Sequence, residues 1–452
     1  MNIEVSNKIL LAAMPLYFAD KIRKRLTMPN PKYDEAVKMK RYVGNISREL
    51  KCYEDTQEGM IIPRGFVLQL IRLATQTETS WKIIDQRRTL PEVPFTFQGE
   101  LRGYQQKAVG DILKHDFGVL NAATGSGKTT MALAVIAARR QPTLIIVHTK
   151  ELMKQWVDRA CQFLNMVPDE IGIIGNGKKR IGEKLTIGIV NSIYPIADEI
   201  KDKFGFVVVD EAHHCPSRTF SEAVSAFDCR FMLGLSATPY RRDCLTKLIY
   251  WYLGDQVHAV NKARLIQEGS IMKPEILTRR TGFVSEYDLT TEYSRGISEL
   301  TRDPERNRLI VSDVANYIQD NAGPCLVLSD RKSHCEVLAE MLTVQGIKTA
   351  ILMGNLSAGR RKKVMEMIRA GGAQAIVATG SLVGEGFDLP ALSALFMATP
   401  LKFSGRVTQY VGRVLRPAPS KDRAVIFDYQ DINEPVLMSA ARSRMKVYQR
   451  AA

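Results

Sequence analysis

Residues Ala122-Ala-Thr-Gly-Ser-Gly-Lys-Thr-Thr130 decide the architecture. They follow the apolar run Phe117-Gly-Val-Leu120 and precede Met131-Ala-Leu-Ala-Val-Ile136, which reads as strand, glycine-rich turn and helix start. Gly125 and Gly127 let successive backbone N–H groups curl toward an anion. Lys128 places a point charge against β and γ phosphates, and the Thr129 hydroxyl can ligate Mg²⁺. The stretch predicts a nucleoside-triphosphate site in which Thr124, Gly125, Ser126, Gly127, Lys128, Thr129 and Thr130 hold the phosphates.

Outward from this loop, short β-branched runs alternate with helical stretches. Leu144–Val147, Thr186–Val190, Phe206–Val209 and Phe231–Leu235 read as buried parallel strands. After the break Asn321-Ala-Gly-Pro324 a second series follows: Cys325–Leu328, Thr349–Leu352, Ala375–Ala378, Ala394–Met397 and Ala424–Phe427. Ser333–Val344 and Gly359–Ala370 are helices between them. Two βαβ series predict an α/β protein with two tandem doubly wound parallel-sheet domains, only the first with a phosphate loop. A smaller α+β domain precedes them. In it Leu10–Arg25 reads as helix, Pro29–Tyr33 as a turn, Glu49–Glu54 with Met60–Pro63 as a hairpin, and Arg64–Ala74 as helix. The expected division is 1–98, an accessory domain; 99–255, the ATP-binding domain; 256–306, a connector; and 307–452, the second α/β domain.

The formal net charge of +15 points to polyphosphate partners. Basic residues cluster at Lys21-Ile-Arg-Lys-Arg25, Lys178–Arg180, Arg360–Lys363 and in the last twelve residues, read as solvated faces. Seven scattered cysteines without metal spacing suit free thiols in a reducing compartment. No stretch is apolar enough to cross a membrane and the N-terminus lacks a secretory pattern, so the expectation is an intracellular, monomeric protein associated with nucleoid or viral DNA, with nucleic acid as partner and protein partners left open.

Downstream, Val207-Val-Val-Asp-Glu-Ala-His-His214 puts two carboxylates at the C-terminal end of a strand, where open α/β sheets hold ligands. Asp210 there suits Mg²⁺ and Glu211 suits a general base. With the phosphate loop, this Asp-Glu-Ala-His sequence resembles motifs I and II of the superfamily-2 helicases, and further motifs follow in order. Leu101-Arg-Gly-Tyr-Gln105 resembles the adenine-recognition motif, with Arg102 and Gln105 as base readers. Val147–Leu152 through Gln155-Trp156 resembles motif Ia, which implies nucleic-acid contacts at Thr149, Lys150 and Gln155. Ser236-Ala-Thr-Pro239 resembles motif III, with Ser236 and Thr238, together with His213, coupling nucleotide state to strand contact. Leu328–Arg331 matches motif IV, and Ala378-Thr379 with Gly384–Pro390 matches motif V, giving Arg331 and Thr379 on nucleic acid and Gly386 and Asp388 on nucleotide. Gln409-Tyr-Val-Gly-Arg-Val-Leu-Arg416 fits motif VI. The resemblance makes Gln409, Arg413 and Arg416 catalytic. Arg413 and Arg416, three apart on an expected helix, would share one face.

The resemblance spans roughly residues 100–430 and is strongest with the XPB-like group, which includes phage UvsW-type and RadD-like proteins. It implies two RecA-like domains. The Thr-Pro-Tyr-Arg-Arg-Asp run carries the group's R-x-D element as Arg241 and Asp243, with Cys244 where glycine is common. Tyr250–Ile276 occupies the place of a small DNA-gripping insertion, and 1–98 that of a DNA-recognition domain, by position alone. Tyr250-Trp-Tyr252 is read as linker packing over base stacking. The resemblance implies an ATP- and Mg²⁺-dependent DNA helicase or translocase on duplex, forked or branched DNA, in recombination, repair or replication. Its competitors are an RNA helicase and an ATP-switched clamp that separates no strands.

Overall fold

The computed structural model of the chain describes residues 1–214, 218–237, 245–321, 323–354, 356–380, 389–401, 404–418 and 421–449. The chain divides into two compact units, residues 1–123 with 127–260, and residues 124–126 with 261–452.

The first unit is built on an eight-stranded sheet. Its order is Lys178–Arg180, Gly172–Gly175, Leu185–Ile189, Thr143–Val147, Phe206–Val209, Phe231–Ser236, Phe117–Asn121 and Gln256–Ala259. All pairings are parallel except the first, an antiparallel hairpin. Central strands such as Phe206-Val-Val-Val209 are buried at every position, because helices cover both faces of a parallel sheet. The helix Lys128–Arg139 leaves the phosphate loop, and Lys150–Leu164 follows the strand Thr143–Val147.

A second sheet organises the other unit, in the order Pro274–Thr281, Ala424–Asp431, Ala394–Met397, Cys325–Ser329, Ala375–Thr379, Thr349–Leu352, parallel throughout. The nine strands read from the sequence in the two series are all present. Two buried ion pairs anchor the strand Ala424–Asp431. Arg306 donates to Asp431 at 2.8 Å, and Arg444 grips both oxygens of Asp428 at 2.8 and 2.7 Å. Pairing and multiple hydrogen bonds are what make a charge tolerable at this depth. Arg444 thus leaves the set of solvated basic residues expected in the last twelve positions: it is only 1% exposed.

Residues 256–306 do not form a separate inserted element. Gln256–Ala259 completes the first sheet and Pro274–Thr281 edges the second, while Tyr293–Leu300 packs through Ile297 and Leu300 near Leu437. Each of the two strands is paired within one of the two parallel sheets.

The N-terminal residues carry a five-stranded sheet, ordered Glu54–Thr56, Gly59–Pro63, Lys8–Ala12, Asn2–Val5, Lys82–Asp85. The second strand of the hairpin is as expected, but its first is Glu54–Thr56, because Glu49–Lys51 pairs instead with Thr27–Pro29 in a separate two-stranded sheet; the helix after it is a short turn Arg64–Phe66 running into Val67–Gln76. The expected single helix Leu10–Arg25 is instead a strand, Lys8–Ala12, and a helix, Leu16–Arg25. Pro15, at φ −63°, starts the helix and cannot lie within one. Asn30 caps a further helix, Pro31–Lys38, where a turn was expected, its side chain accepting from Lys32 N at 3.1 Å.

This sheet does not own its core. Ile3, Ile9, Phe18, Phe66 and Leu70 belong to one buried cluster with Phe117, Val207, Met232, Trp251 and Leu253 of the eight-stranded sheet and its helices. Gly65 shows how close the joint is: a Cβ there would lie 2.4 Å from both Tyr250 O and Gly254 N. Trp251 meets Phe66 edge-on, with ring centroids 6.4 Å apart, in line with a packing role for the aromatic triplet. Arg64, pushed below its usual pKa by burial, donates to Cys229 O at 2.7 Å.

Candidate functional site

Four sequence motifs of the first unit emerge at the C-terminal ends of adjacent parallel strands. The loop follows Phe117–Asn121, the carboxylates follow Phe206–Val209, Ser236 ends Phe231–Ser236, and Thr149 follows Thr143–Val147. Open α/β sheets gather ligands at this edge.

The loop is held before any ligand arrives. Ala122 N donates to Ser236 O at 2.9 Å, tying its start to the neighbouring strand. Gly125 and Gly127 take left-handed φ values of +89° and +79°. Gly127 has a second constraint, since a Cβ there would come within 2.3 Å of Gln105 Nε2. Gln105 is buried, and its Oε1 accepts from Arg102 N at 2.9 Å, closing the first turn of helix Gly103–Leu113. One side chain therefore caps a helix and borders the phosphate loop, while Arg102 itself is exposed. Lys128 Nζ donates to Ala122 O at 3.1 Å. Thr129 and Thr130 occupy the first turn of the helix, half-buried.

Asp210 is 7% exposed, and both its oxygens are engaged. Oδ1 accepts from Glu211 N at 2.9 Å and Oδ2 from Trp156 Nε1 at 2.8 Å. Burial, with the Glu211 charge beside it, pushes the Asp210 carboxyl above the usual carboxylate range; the Trp156 bond and Lys128 oppose that shift. Glu211 adopts φ +48°, a left-handed conformation that a non-glycine residue holds only when its surroundings enforce it. Its Oε2 lies 3.2 Å from His213 Nδ1. His148 approaches Glu211 O at 3.4 Å and packs on Phe220; burial drives its imidazole down to about 4, so it is neutral near pH 7.

Trp156 is the functional residue that motif reading passed over. It was visible only as part of Gln155-Trp156, and nothing in spacing announces that its indole N–H, from helix Lys150–Leu164, meets a carboxylate 54 positions later. The neighbouring expectations are less distinctive. Thr149 is the N-cap of that helix, accepting from Leu152 N at 3.3 Å, Lys150 is exposed and Gln155 half-buried.

In the second unit Gln409 and Arg413 lie on helix Ser404–Val414, Arg413 buried in its last turn. Arg416 is not on it. Pro417 disfavours helical backbone at the residue before it, so the helix ends and Arg416 lies in the turn beyond. The expected shared face of Arg413 and Arg416 is therefore absent. Lys421 donates to Val414 O and, at 2.9 Å, to Arg416 O, closing the helix end; burial lowers this ammonium to about 8. Arg331 donates to Ser294 O and Oγ at 3.2 and 3.0 Å. Thr379 is buried at a strand end, its hydroxyl without a hydrogen-bond partner among the described residues. Thr238, Arg241, Asp243, Gly386 and Asp388 lie outside the described residues.

The chain matches the family model "Type III restriction enzyme, res subunit" over residues 98–241 and "Helicase conserved C-terminal domain" over 309–418. It is 36% identical over 171 residues to the "DNA 3'-5' translocase XPB2" of Sulfurisphaera tokodaii, covering 38% of this chain and 37% of that one. The chain belongs to the superfamily-2 helicases, in the XPB-like group. A "Putative ATP-dependent RNA helicase L396" of Acanthamoeba polyphaga mimivirus is 26% identical over 374 residues, 80% of this chain and 70% of that protein. Among solved structures, S. cerevisiae Dbp5 bound to RNA and ADP BeF3 shares the fold, at TM-score 0.54 and 12% identity over 76% of this chain and 87% of that one. As a member of the family, this helicase uses ATP and binds nucleic acid. No helix among the described residues is long and apolar enough to cross a membrane.

Among the described residues no group of three or more His, Cys, Asp or Glu could hold a metal ion unaided.

Proposed function

We propose that this helicase is a DNA motor that couples Mg²⁺-ATP hydrolysis to movement on duplex, forked or branched DNA. The observation that carries the hydrolytic part is the pair Asp210 and Glu211 at the C-terminal end of one strand with Lys128 nearby, Asp210 fixed through both its oxygens and Glu211 lying 3.2 Å from His213 Nδ1. In this reading Thr129 and Asp210 hold Mg²⁺, which supplies charge neutralisation at the phosphates. Lys128 and the loop N–H groups from Thr124 to Thr130 bind the triphosphate, and Arg102 and Gln105 bound the base. Glu211 orients the attacking water and accepts its proton, its carboxylate steadied by His213. Gln409, Arg413 and Arg416 act on the transferring phosphoryl group, Arg413 as the side chain that answers the charge developing in the transition state. Gly386 and Asp388 are assigned to nucleotide, and Thr238 with Ser236 to coupling. Thr149, Lys150, Gln155, Arg241, Asp243, Arg331 and Thr379 are assigned to the nucleic-acid track.

DNA is preferred over RNA on the XPB-like assignment, one of whose named relatives is a DNA translocase; the net charge of +15 suits either polyanion. Recombination, repair or replication are the processes that supply branched DNA. The test is ATPase stimulation by duplex, single-stranded and forked DNA and by duplex RNA, beside strand displacement. Glu211→Gln should lower hydrolysis by roughly 10²–10⁴ with ATP binding retained. Stimulation by RNA alone, or full hydrolysis by Glu211→Gln, overturns the corresponding half of the reading.

A further inference from the structure

Helix Leu16–Arg25 ends in Arg23-Lys-Arg25. Arg23 is committed to Asp20 and Asp55, at 2.9 and 2.8 Å. Lys24 and Arg25 are exposed and form no ion pair among the described residues. A helix dipole favours cations in its last turn, which accounts for the charge there but not for what it faces. These two residues border a cleft of about 400 Å³ whose lining also includes Lys247, Tyr250 and Gln69, over buried Phe66 and Trp251. Lys247 and Tyr250 come from helix Thr246–Leu253; Lys247 too is exposed and makes no ion pair among the described residues.

Among the described residues no carboxylate lines this cleft. Asp255 is engaged elsewhere, accepting from Gln69 at 2.7 Å and pairing with Arg72 at 3.2 Å. Three unpaired cations around one concavity repel one another, and a polyanion relieves that repulsion while gaining three contacts. The two walls are fixed relative to each other by the close approach of Gly65 to the backbone of residues 250 and 254. Phe66 and Trp251 are buried and Tyr250 is half-buried in the lining, while the three cations are exposed, so charge is the main means of recognition.

We propose that this cleft binds the sugar–phosphate backbone of a nucleic acid, with Lys24, Arg25 and Lys247 on successive phosphates. The proposal rests on the motor reading and deepens it by naming a track site. Phosphate contacts of this kind set orientation and read shape, not sequence. The helix bearing Lys247 follows the strand that ends in Ser236 along the chain.

The test compares wild type with the triple variant Lys24→Ala, Arg25→Ala, Lys247→Ala, all exposed positions, in titrations of labelled duplex DNA, single-stranded DNA, duplex RNA and heparin across a salt series. Each lost contact with B-form DNA lowers the slope of log K against log[salt] by about 0.9. The expected result is a slope smaller by about 2–3 and weaker binding, with ATPase in the absence of nucleic acid unchanged. The polymer that loses most identifies the strand form the cleft takes. An unchanged slope for every nucleic acid, or a loss confined to heparin, overturns the cleft while leaving the motor reading intact. A wild-type chain that binds none of the three nucleic acids overturns both.

Discussion

Trp156 gives the sharpest test of the site's construction. Its indole N–H reaches Asp210 Oδ2 at 2.8 Å, with Trp156 2% and Asp210 7% exposed. A hydrogen bond to a charged group contributes about 1.5–3 kcal/mol, and in this dry setting water does not replace it. Replacing the indole with its sulfur isostere, benzothienylalanine, removes the donor and keeps the shape; Trp156→Phe removes the donor and leaves a void as well. For the isostere, the Mg²⁺ concentration giving half-maximal ATPase should rise by roughly 10-fold or more, the factor equivalent to about 1.4 kcal/mol. Nucleotide binding measured calorimetrically in EDTA should stay the same, because Lys128 and the loop are untouched. Trp156→Phe should add a fall in melting temperature of several degrees. An isostere with wild-type Mg²⁺ dependence, beside a destabilised Trp156→Phe, would reduce Trp156 to packing and refute the positioning argument.

Two further outcomes follow from burial. Burial pushes the His334 imidazole down to about 3, within hydrogen bonds to Ser329 Oγ and Asn307 Oδ1 at 3.0 and 2.9 Å. Because the folded pKa lies below the unfolded one near 6.5, stability is fully present above pH 6.5 and falls as pH drops toward 3, by at most about 4 kcal/mol; a second-unit unfolding midpoint that stays flat over that window contradicts it. Deleting residues 1–94 should leave a motor that aggregates or melts far below the full chain, since it uncovers Ile249, Trp251 and Leu253, each worth roughly 1.5–3 kcal/mol when buried; a soluble, cooperatively folding truncation would refute the shared core.

What the sequence made legible follows a physical line. Parallel strands buried on both faces announce themselves as β-branched runs, so Phe206–Val209 and Ala375–Thr379 were readable. The glycine loop and the acid pair were readable because their chemistry tolerates few other residues. Lys8–Ala12 was not, because Leu10-Leu-Ala-Ala-Met14 satisfies a helical period as well as a strand of five residues, and only Pro15 separates the two. Arg416 shows the opposite case: the proline that ends its helix was in plain view, yet the motif's three-residue spacing outweighed it. Trp156 and the pairs Arg306–Asp431 and Arg444–Asp428 were illegible, since they join positions far apart that no local period connects.

The N-terminal residues raise a question that deletion cannot answer. Residues 1–98 could select the nucleic acid or cap the motor, and removing the segment is the direct way to separate the two. The structure makes these roles inseparable by that route. Phe66 and Leu70 share a core with Trp251 and Leu253, so deletion damages the motor whatever else the segment does. The same joint is what a recognition role requires, because Lys24 and Arg25 can share one backbone with Lys247 only if their two helices stay in register. Capping is thus the mechanical condition for gripping. Substitutions confined to the exposed cations leave the buried joint alone, and a loss of salt-dependent binding at unchanged melting temperature would isolate recognition from support.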